Sequence, residues 1–263
     1  MTKQDGTSRN LIKRVLMRAG IIDRPRGTID AYRMAPAERD DYFNPPLTAV
    51  EETFLGHQGR TIHKWAHYLP IYEKLFGGLR GRPLTFLEIG VSLGGSLELW
   101  RGYFGPEATI VGLDIDPECA TRFDPPNQVF IGSQADPDFL RDVVARIGTP
   151  DIVLDDGSHI AAHQKTTFDT LFPLLGEGGL YVIEDTHTAY WPEGYDGGYR
   201  RTGTAIEVAK SFVDDMHAWY HQEHFDPLIR DHVHSIAFYD SIIAIEKRAK
   251  LPPRHLASPP GKR

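Results

Sequence analysis

The residues most able to do chemistry in this chain stand at the ends of two short apolar runs. Pro150-Asp-Ile-Val-Leu leads into Asp155-Asp156-Gly157-Ser158-His159, and Gly179-Leu-Tyr-Val-Ile leads into Glu184-Asp185. If both runs are neighbouring strands of one sheet, four carboxylates converge at the same edge. Such a cluster repels itself unless some members are protonated or a cation lies among them. Oxygen donors favour Mg2+, with Mn2+ or Ca2+ as substitutes. His159 follows Asp156 by three residues, close enough for a cation-held hydroxyl to sit against its imidazole, and a neutral histidine is a competent general base. Taken singly these residues have plainer uses, since Asp-Gly-Ser is a common turn and a strand-ending acid pair can cap the next helix. Their joint arrival at one edge favours the chemical reading.

A second constellation precedes them. Leu84-Thr-Phe-Leu-Glu88-Ile-Gly90-Val-Ser92-Leu-Gly94-Gly-Ser96 is a buried-type strand entering a glycine turn and then a helix. Glycines let backbone approach a ligand, and a helix N-terminus presents free N–H groups. Asp114 ends the next apolar run 24 residues beyond Gly90, where a carboxylate can accept the hydroxyls of a ribose. An adenosine-type ligand is therefore expected. Glu88 lies where a dinucleotide's pyrophosphate would be repelled, but it suits a ligand bearing an amino group, such as S-adenosylmethionine. The combined chemistry is methyl transfer: a cation lowers the pKa of an alcohol, His159 takes its proton, and the oxygen attacks the methyl in line with the departing sulfur.

The elements that must position these residues follow from periodicity. Strand-length apolar runs at Leu84–Gly90, Ala108–Ile115, Gln128–Ser133, Pro150–Asp156 and Gly179–Asp185 alternate with helix-like stretches, the pattern of a parallel α/β sheet. The helices expected are Ser96–Phe104, a short one near Pro117–Phe123, Pro137–Ile147, His163–Leu175 and a longer one from about Thr204 to Glu223. Ser235–Tyr239 and Ile242–Lys247, separated by Asp240-Ser241, form an antiparallel hairpin. Ahead of the sheet, Leu11–Ala19 is a short amphipathic helix, Pro45-Pro46 a linker, and Ile62–Phe76 a helical segment kinked at Pro70. The resulting organisation is a helical cap over residues 1–83, a catalytic domain over 84–247 and a disordered basic tail over 248–263.

Composition narrows the classes. At 263 residues with 41% hydrophobic and 25% charged content, the chain can bury one substantial core and is not a wholly disordered, collagen-like or coiled-coil protein. The net charge of −7 is uneven: residues 1–33 carry +5, residues 247–263 carry +6, and the body between them carries −18. An acidic body repels phosphate backbones, so no nucleic-acid partner is expected. Cys119 is the single cysteine, no apolar stretch approaches bilayer length and no leader is evident, so the expectation is a cytoplasmic protein with no membrane partner. His217, His221 and His224 are spaced by four and three, but no further Cys or His partner is evident and they read as a solvated or interface face.

Glu88-x-Gly90-x-Ser92-x-Gly94 resembles the first motif of class I S-adenosylmethionine-dependent methyltransferases, with Ser92 where glycine is commoner. Leu154-Asp-Asp-Gly-Ser-His159, Gly179-Leu-Tyr-Val-Ile-Glu-Asp185 and Thr188-Ala-Tyr-Trp191 resemble the metal-dependent sugar O-methyltransferases of the mycinamicin 2''-O-methyltransferase type, whose fold the cephalosporin-hydroxylase-like group shares. The resemblance covers about residues 57–247. It implies a Rossmann-like class I methyltransferase fold, a seven-stranded mostly parallel sheet ending in an antiparallel hairpin, with an N-terminal helical cap. It implies Mg2+ held by Asp156, Glu184 and Asp185, with Mn2+ as a substitute, and His159 as the base. S-adenosylmethionine would meet Glu88, Gly90, Ser92, Gly94, Ser96, Asp114, Gln134, Asp155 and Tyr72. Tyr72 enters through Lys64-Trp-Ala-His-Tyr68-Leu-Pro-Ile-Tyr72-Glu73, a looser match to the family's N-terminal helix. Thr186–Thr204 is a glycine-bearing loop whose Tyr190, Trp191 and Tyr195 suit stacking on a sugar. The resemblance also implies a homodimer or larger homo-oligomer.

The expected activity is Mg2+-dependent methylation of a sugar hydroxyl in a glycoside or oligosaccharide. Two alternatives share parts of the site. A catechol-like diol also offers two oxygens to a metal. A nicotinamide-dependent oxidoreductase also uses a glycine loop and an acid like Asp114, although no Tyr-x-x-x-Lys pair occurs in the chain.

Overall fold

The computed structural model describes Phe43, residues 45–121 and residues 128–258. The expected helix Leu11–Ala19 and the basic residues Lys262 and Arg263 lie outside the described residues. Seven strands form one sheet: β1 Leu84–Ile89, β2 Ala108–Asp114, β3 Gln128–Ile131, β4 Ile152–Asp155, β5 Leu180–Ile183, β6 Val233–Tyr239 and β7 Ile242–Lys247. Their order is β3-β2-β1-β4-β5-β7-β6. The first five strands run parallel, and β7 pairs antiparallel with both β5 and β6. Successive strands are added toward one edge as far as β3 and toward the other from β4, and the crevice beyond the carboxyl ends of β1 and β4, where that order switches, is where ligands bind in open α/β sheets.

Helices cover both faces, which is why β1, β2 and β4 read as continuous apolar runs and not as alternating ones. On one face lie α1 Ala49–Gly56, α2 Tyr68–Phe76 and α3 Gly95–Phe104, sharing a core in which Tyr72, Phe76, Phe86, Trp100 and Phe104 meet ring to ring. On the other face lie α4 Pro137–Ile147, α5 Ala161–Leu171 and α6 Ala205–Met216, around Leu140, Phe168, Phe172, Tyr181 and Phe212. A short α7, Pro227–His232, leads into β6. Thr48 caps α1 through a reciprocal capping box with Glu51, and Asp136 caps α4.

Three expected elements differ. The segment from Ile62 is not helical until Tyr68, so Pro70 falls in the first turn of α2, where its missing N–H has no intrahelical partner to lose and no kink arises. The helix from Thr204 ends at Met216 and not near Glu223. Its last carbonyls accept from His217 Nδ1 at Val213 O, 2.7 Å, and from His221 Nε2 at Asp214 O, 3.0 Å, so the three histidines do not share a helix face. The region near Pro117 makes a 3-10 turn, Pro117–Thr121. After β7, residues 248–250 are tied down by backbone hydrogen bonds to His232 and Asp231, while residues 251–258 are exposed and without regular structure. No helix among the described residues is long and apolar enough to cross a membrane.

Candidate functional site

Sheet register brings the two constellations together. Ile89 pairs with Asp155 and Asp155 with Ile183, so Gly90, Asp156 and Glu184 leave three adjacent strands side by side. The ladder continues one step further, with Asp156 N donating to Ile89 O and Glu184 N to Asp155 O, each at 3.0 Å. A Cβ on Gly90, where φ is +98°, would lie 2.2 Å from Asp156 O. The glycine is thus required for the cofactor-type loop and the acidic turn to touch.

Beyond this point Asp156, His159 and Asp185 converge. Each offers one ligand atom, and these atoms lie within 4.8 Å of one another. His159 Nε2 stands 3.7 Å from Asp156 Oδ1 and 3.6 Å from Asp185 Oδ2, with the imidazole only 2% exposed. Asp185 Oδ1 accepts from Tyr68 Oη at 2.8 Å. Carboxylate oxygens in this arrangement, with an imidazole at hand, fit a hard divalent cation of the Mg2+ or Mn2+ kind. Glu184 stands beside them with one oxygen bonded by Tyr72 Oη and the other, at 2.7 Å, by Lys64 Nζ.

Lys64 is the residue that sequence reasoning missed. Its ammonium is 2% exposed and bridges Glu184 to Asp156 Oδ2 at 2.8 Å, with Glu88 Oε1 at 3.7 Å. Burial alone would lower its pKa, but the three carboxylates outweigh that and hold it above the ordinary lysine range. Burial raises Glu184 well above the carboxylate range against the pull of Lys64, and pushes Glu88 up to about 7. The available signal was the acid cluster itself, which needs a counter-charge. Nothing in the spacing of Lys64 said that it would supply one.

The remaining expected cofactor residues divide. Asp114 Oδ2 accepts from Val91 N at 2.9 Å and Ser92 N at 3.0 Å, which fixes the turn, while Ser92 is exposed and Gly94 holds φ +85° at the start of α3. Leu93 and Ile115, 52% and 60% exposed, leave apolar surface at the ends of β1 and β2. Ser96 Oγ and Trp100 Nε1 donate to Glu88, at 2.8 and 3.4 Å. Asp155 turns inward and is fully buried, accepting from Gln134 Nε2 at 3.1 Å, Gly157 N at 3.4 Å and Tyr181 Oη at 3.4 Å. Gln134 Oε1 in turn accepts from Ser158 N at 2.6 Å, so both side chains hold the turn that carries Asp156 and His159. Tyr72 is likewise buried, facing Glu184.

Of the aromatic loop residues, Trp191 is buried and packs at 4.7 Å against His187, Tyr195 is half-buried against Trp191, and Tyr190 is exposed. A 3-10 turn, Thr186–Tyr190, starts the loop, and Tyr195 O accepts from Ala161 N at 3.2 Å, tying it to the start of α5.

No family model matches the chain. Among curated proteins it is 38% identical over 239 residues to the 8-demethyl-8-alpha-L-rhamnosyl tetracenomycin-C 2'-O-methyltransferase of Streptomyces olivaceus, covering 79% of this chain and 61% of that protein. It is 41% identical over 190 residues to the mycinamicin VI 2''-O-methyltransferase of Micromonospora griseorubida, covering 68% of this chain and 45% of that one. The chain therefore spans about three fifths or less of the length of these relatives. Among solved structures, the MycE methyltransferase in complex with Mg, SAH and mycinamycin VI aligns with a TM-score of 0.67 at 32% identity, covering 78% of this chain and 54% of that one. In sequence and in strand order alike, the chain carries the class I methyltransferase fold and is homologous to the sugar O-methyltransferases.

Proposed function

We propose that this chain transfers a methyl group from S-adenosylmethionine to a sugar hydroxyl of a glycoside or oligosaccharide, with a divalent cation at its acidic edge. The observation that carries this reading is the convergence of Asp156, His159 and Asp185 at the end of β4 and β5, beside a glycine turn on β1. The similarity to rhamnosyl tetracenomycin and mycinamicin O-methyltransferases supports the substrate class.

S-adenosylmethionine supplies an electrophilic methyl. The exposed apolar side chains of Leu93 and Ile115 suit an adenine, and Asp114 suits the ribose through Oδ1, which accepts only from Asp116 N and keeps a lone pair, whereas Oδ2 is taken up by Val91 N and Ser92 N. A divalent cation held by Asp156 and Asp185, with Glu184 alongside, supplies Lewis acidity and fixes the acceptor's place. His159 Nε2 takes the acceptor's hydroxyl proton, and the two carboxylates within 3.7 Å stabilise the imidazolium that forms. Gln134 and Asp155 act through the turn, orienting His159. Tyr190, Trp191 and Tyr195 form the side from which a sugar would be covered. An oxidoreductase is disfavoured by Glu88, buried directly behind the glycine turn, where it would oppose a pyrophosphate.

Within this reading the protein works in the cytoplasm and as a homodimer or larger assembly, residues 45–83 forming a cap on the catalytic unit 84–247, while most of the rest of the expected cap lies outside the described residues. The test is a transfer assay with S-adenosylmethionine, Mg2+ and a panel of glycosides, read by mass spectrometry. A mass gain of one methyl on sugar-bearing acceptors is expected, abolished by EDTA and restored by Mg2+. Undiminished transfer in EDTA would remove the cation from the mechanism, and transfer to catechols alone would replace the substrate class.

A further inference from the structure

We propose that Lys64 is a resident counter-cation of the acidic edge, competing with the divalent cation for Asp156 and thereby setting the site's cation affinity low. The inference rests on the reading of that edge as a cation site and adds what occupies it otherwise. Lys64 arrives on the irregular stretch before α2, and its Nζ reaches acids from the ends of β1, β4 and β5 at 3.7, 2.8 and 2.7 Å. A buried ammonium is costly to desolvate and persists only where carboxylates compensate it, and these three do so. Conversely, without any cation Asp156 and Glu184 could not both stay ionised in such close company. The lysine therefore keeps the edge assembled in a cation-free protein.

The same oxygens cannot serve the ammonium and a dication fully at once. Bringing a charge of +2 to Asp156 places it against the Lys64 ammonium at close range in a poorly solvated site, where like-charge repulsion is strong. Release from Asp156 is the step of least resistance. The Asp156 side chain is 20% exposed, whereas Glu184 is 1% and Glu88 0% exposed, so the ammonium retains its two buried partners while solvent and the cation take up the third. Lys64 Nζ lies over the Tyr72 ring, 5.9 Å from its centroid, so an uncharged side chain of similar length gives up that cation–π contact but fills the same space.

The test is Mn2+ binding to the full chain, followed by the paramagnetic resonance signal of free Mn2+, for the wild type, Lys64→Met and Lys64→Gln. Both variants are expected to bind Mn2+ about tenfold more tightly than the wild type. Equal or weaker binding by a variant whose circular dichroism matches the wild type overturns the proposal while leaving the cation site standing. Absence of Mn2+ binding in wild type and variants alike removes the cation site, and this proposal with it. If one variant fails to fold, the other carries the comparison; unfolding of both that millimolar Mn2+ does not reverse counts against the proposal.

Discussion

His159 Nε2 lies 3.6 Å from Asp185 Oδ2, and both residues hold their backbones in the left-handed region, with φ of +56° and +52°. Side-chain-bearing residues in that region carry about 1–3 kcal/mol of strain each, retained where the surrounding structure over-determines them. Here the strain turns each chain sharply as it leaves its strand, which aims both side chains back over the sheet edge toward one another. Asparagine tolerates this conformation better than most residues. His159→Asn is therefore expected to keep the turn and S-adenosylmethionine binding while lowering methyl transfer by about 10²–10⁴-fold. Turnover near the wild-type value, with calorimetry showing intact cofactor binding, would mean that another group is the base.

Tyr68 donates to the Asp185 oxygen that faces away from His159, and so fixes which oxygen is presented to a cation. Tyr68→Phe removes that bond with little change in shape. Cation affinity should fall on the order of 10–100-fold, as it does when the outer partner of a metal ligand is lost. Asp185→Asn, which keeps the left-handed backbone but not the charge, should lose more. The measurement is calorimetric titration with Mg2+ or Mn2+, and equal affinity in wild type and Tyr68→Phe would show that Asp185 is held by other means.

The strand order and the meeting of β1 with β4 were legible because burial on both faces leaves uninterrupted apolar runs, and because the Asp240-Ser241 break marks the hairpin. The placement of Asp156, Glu184 and Asp185 was legible because each lies within two residues of a strand end, and that of His159 because a short turn returns it to the edge after β4. What was not legible depended on side chains meeting from distant elements. Lys64 comes to Glu184 across 120 positions of sequence, and Asp155 and Gln134 face inward because the turn needs them there, which strand alternation in a short, doubly covered β4 does not reveal. Pro70 was misread because the start of α2 depends on where Tyr68 packs, not on local periodicity.

Gly90 supplies a prediction about the contact between the two loops. Alanine there would meet Asp156 O at 2.2 Å, and its φ of +98° is one that L side chains rarely adopt. Backbone cannot yield as a flexible side chain does, so Gly90→Ala should shift Asp156 and Gly157 away from β1. The expected result is destabilisation of about 1–3 kcal/mol or more from conformation alone, with weakened binding of both S-adenosylmethionine and Mn2+ under conditions where the protein remains folded. Loss of cofactor binding with Mn2+ affinity untouched would show that the two loops are mechanically separate.

Asp155 predicts a pH dependence with a definite sign. Burial pushes its carboxyl up to about 7 from an ordinary value of 3.8, only partly offset by the bonds from Gln134, Gly157 and Tyr181. Between those two values the folded protein holds a proton that the unfolded chain has released, so the contribution of Asp155 to stability falls as pH rises across this window. Glu88, also raised to about 7, acts in the same direction. Asp155→Asn keeps an oxygen to accept from Gln134 and Gly157 but has no proton to lose. In EDTA, thermal melts of this variant should therefore decline less between pH 4 and 7 than those of the wild type, with the two proteins alike near pH 4 and the variant the more stable at pH 8. Parallel melting profiles would show that Asp155 titrates normally and that its buried bonds hold the ionised form.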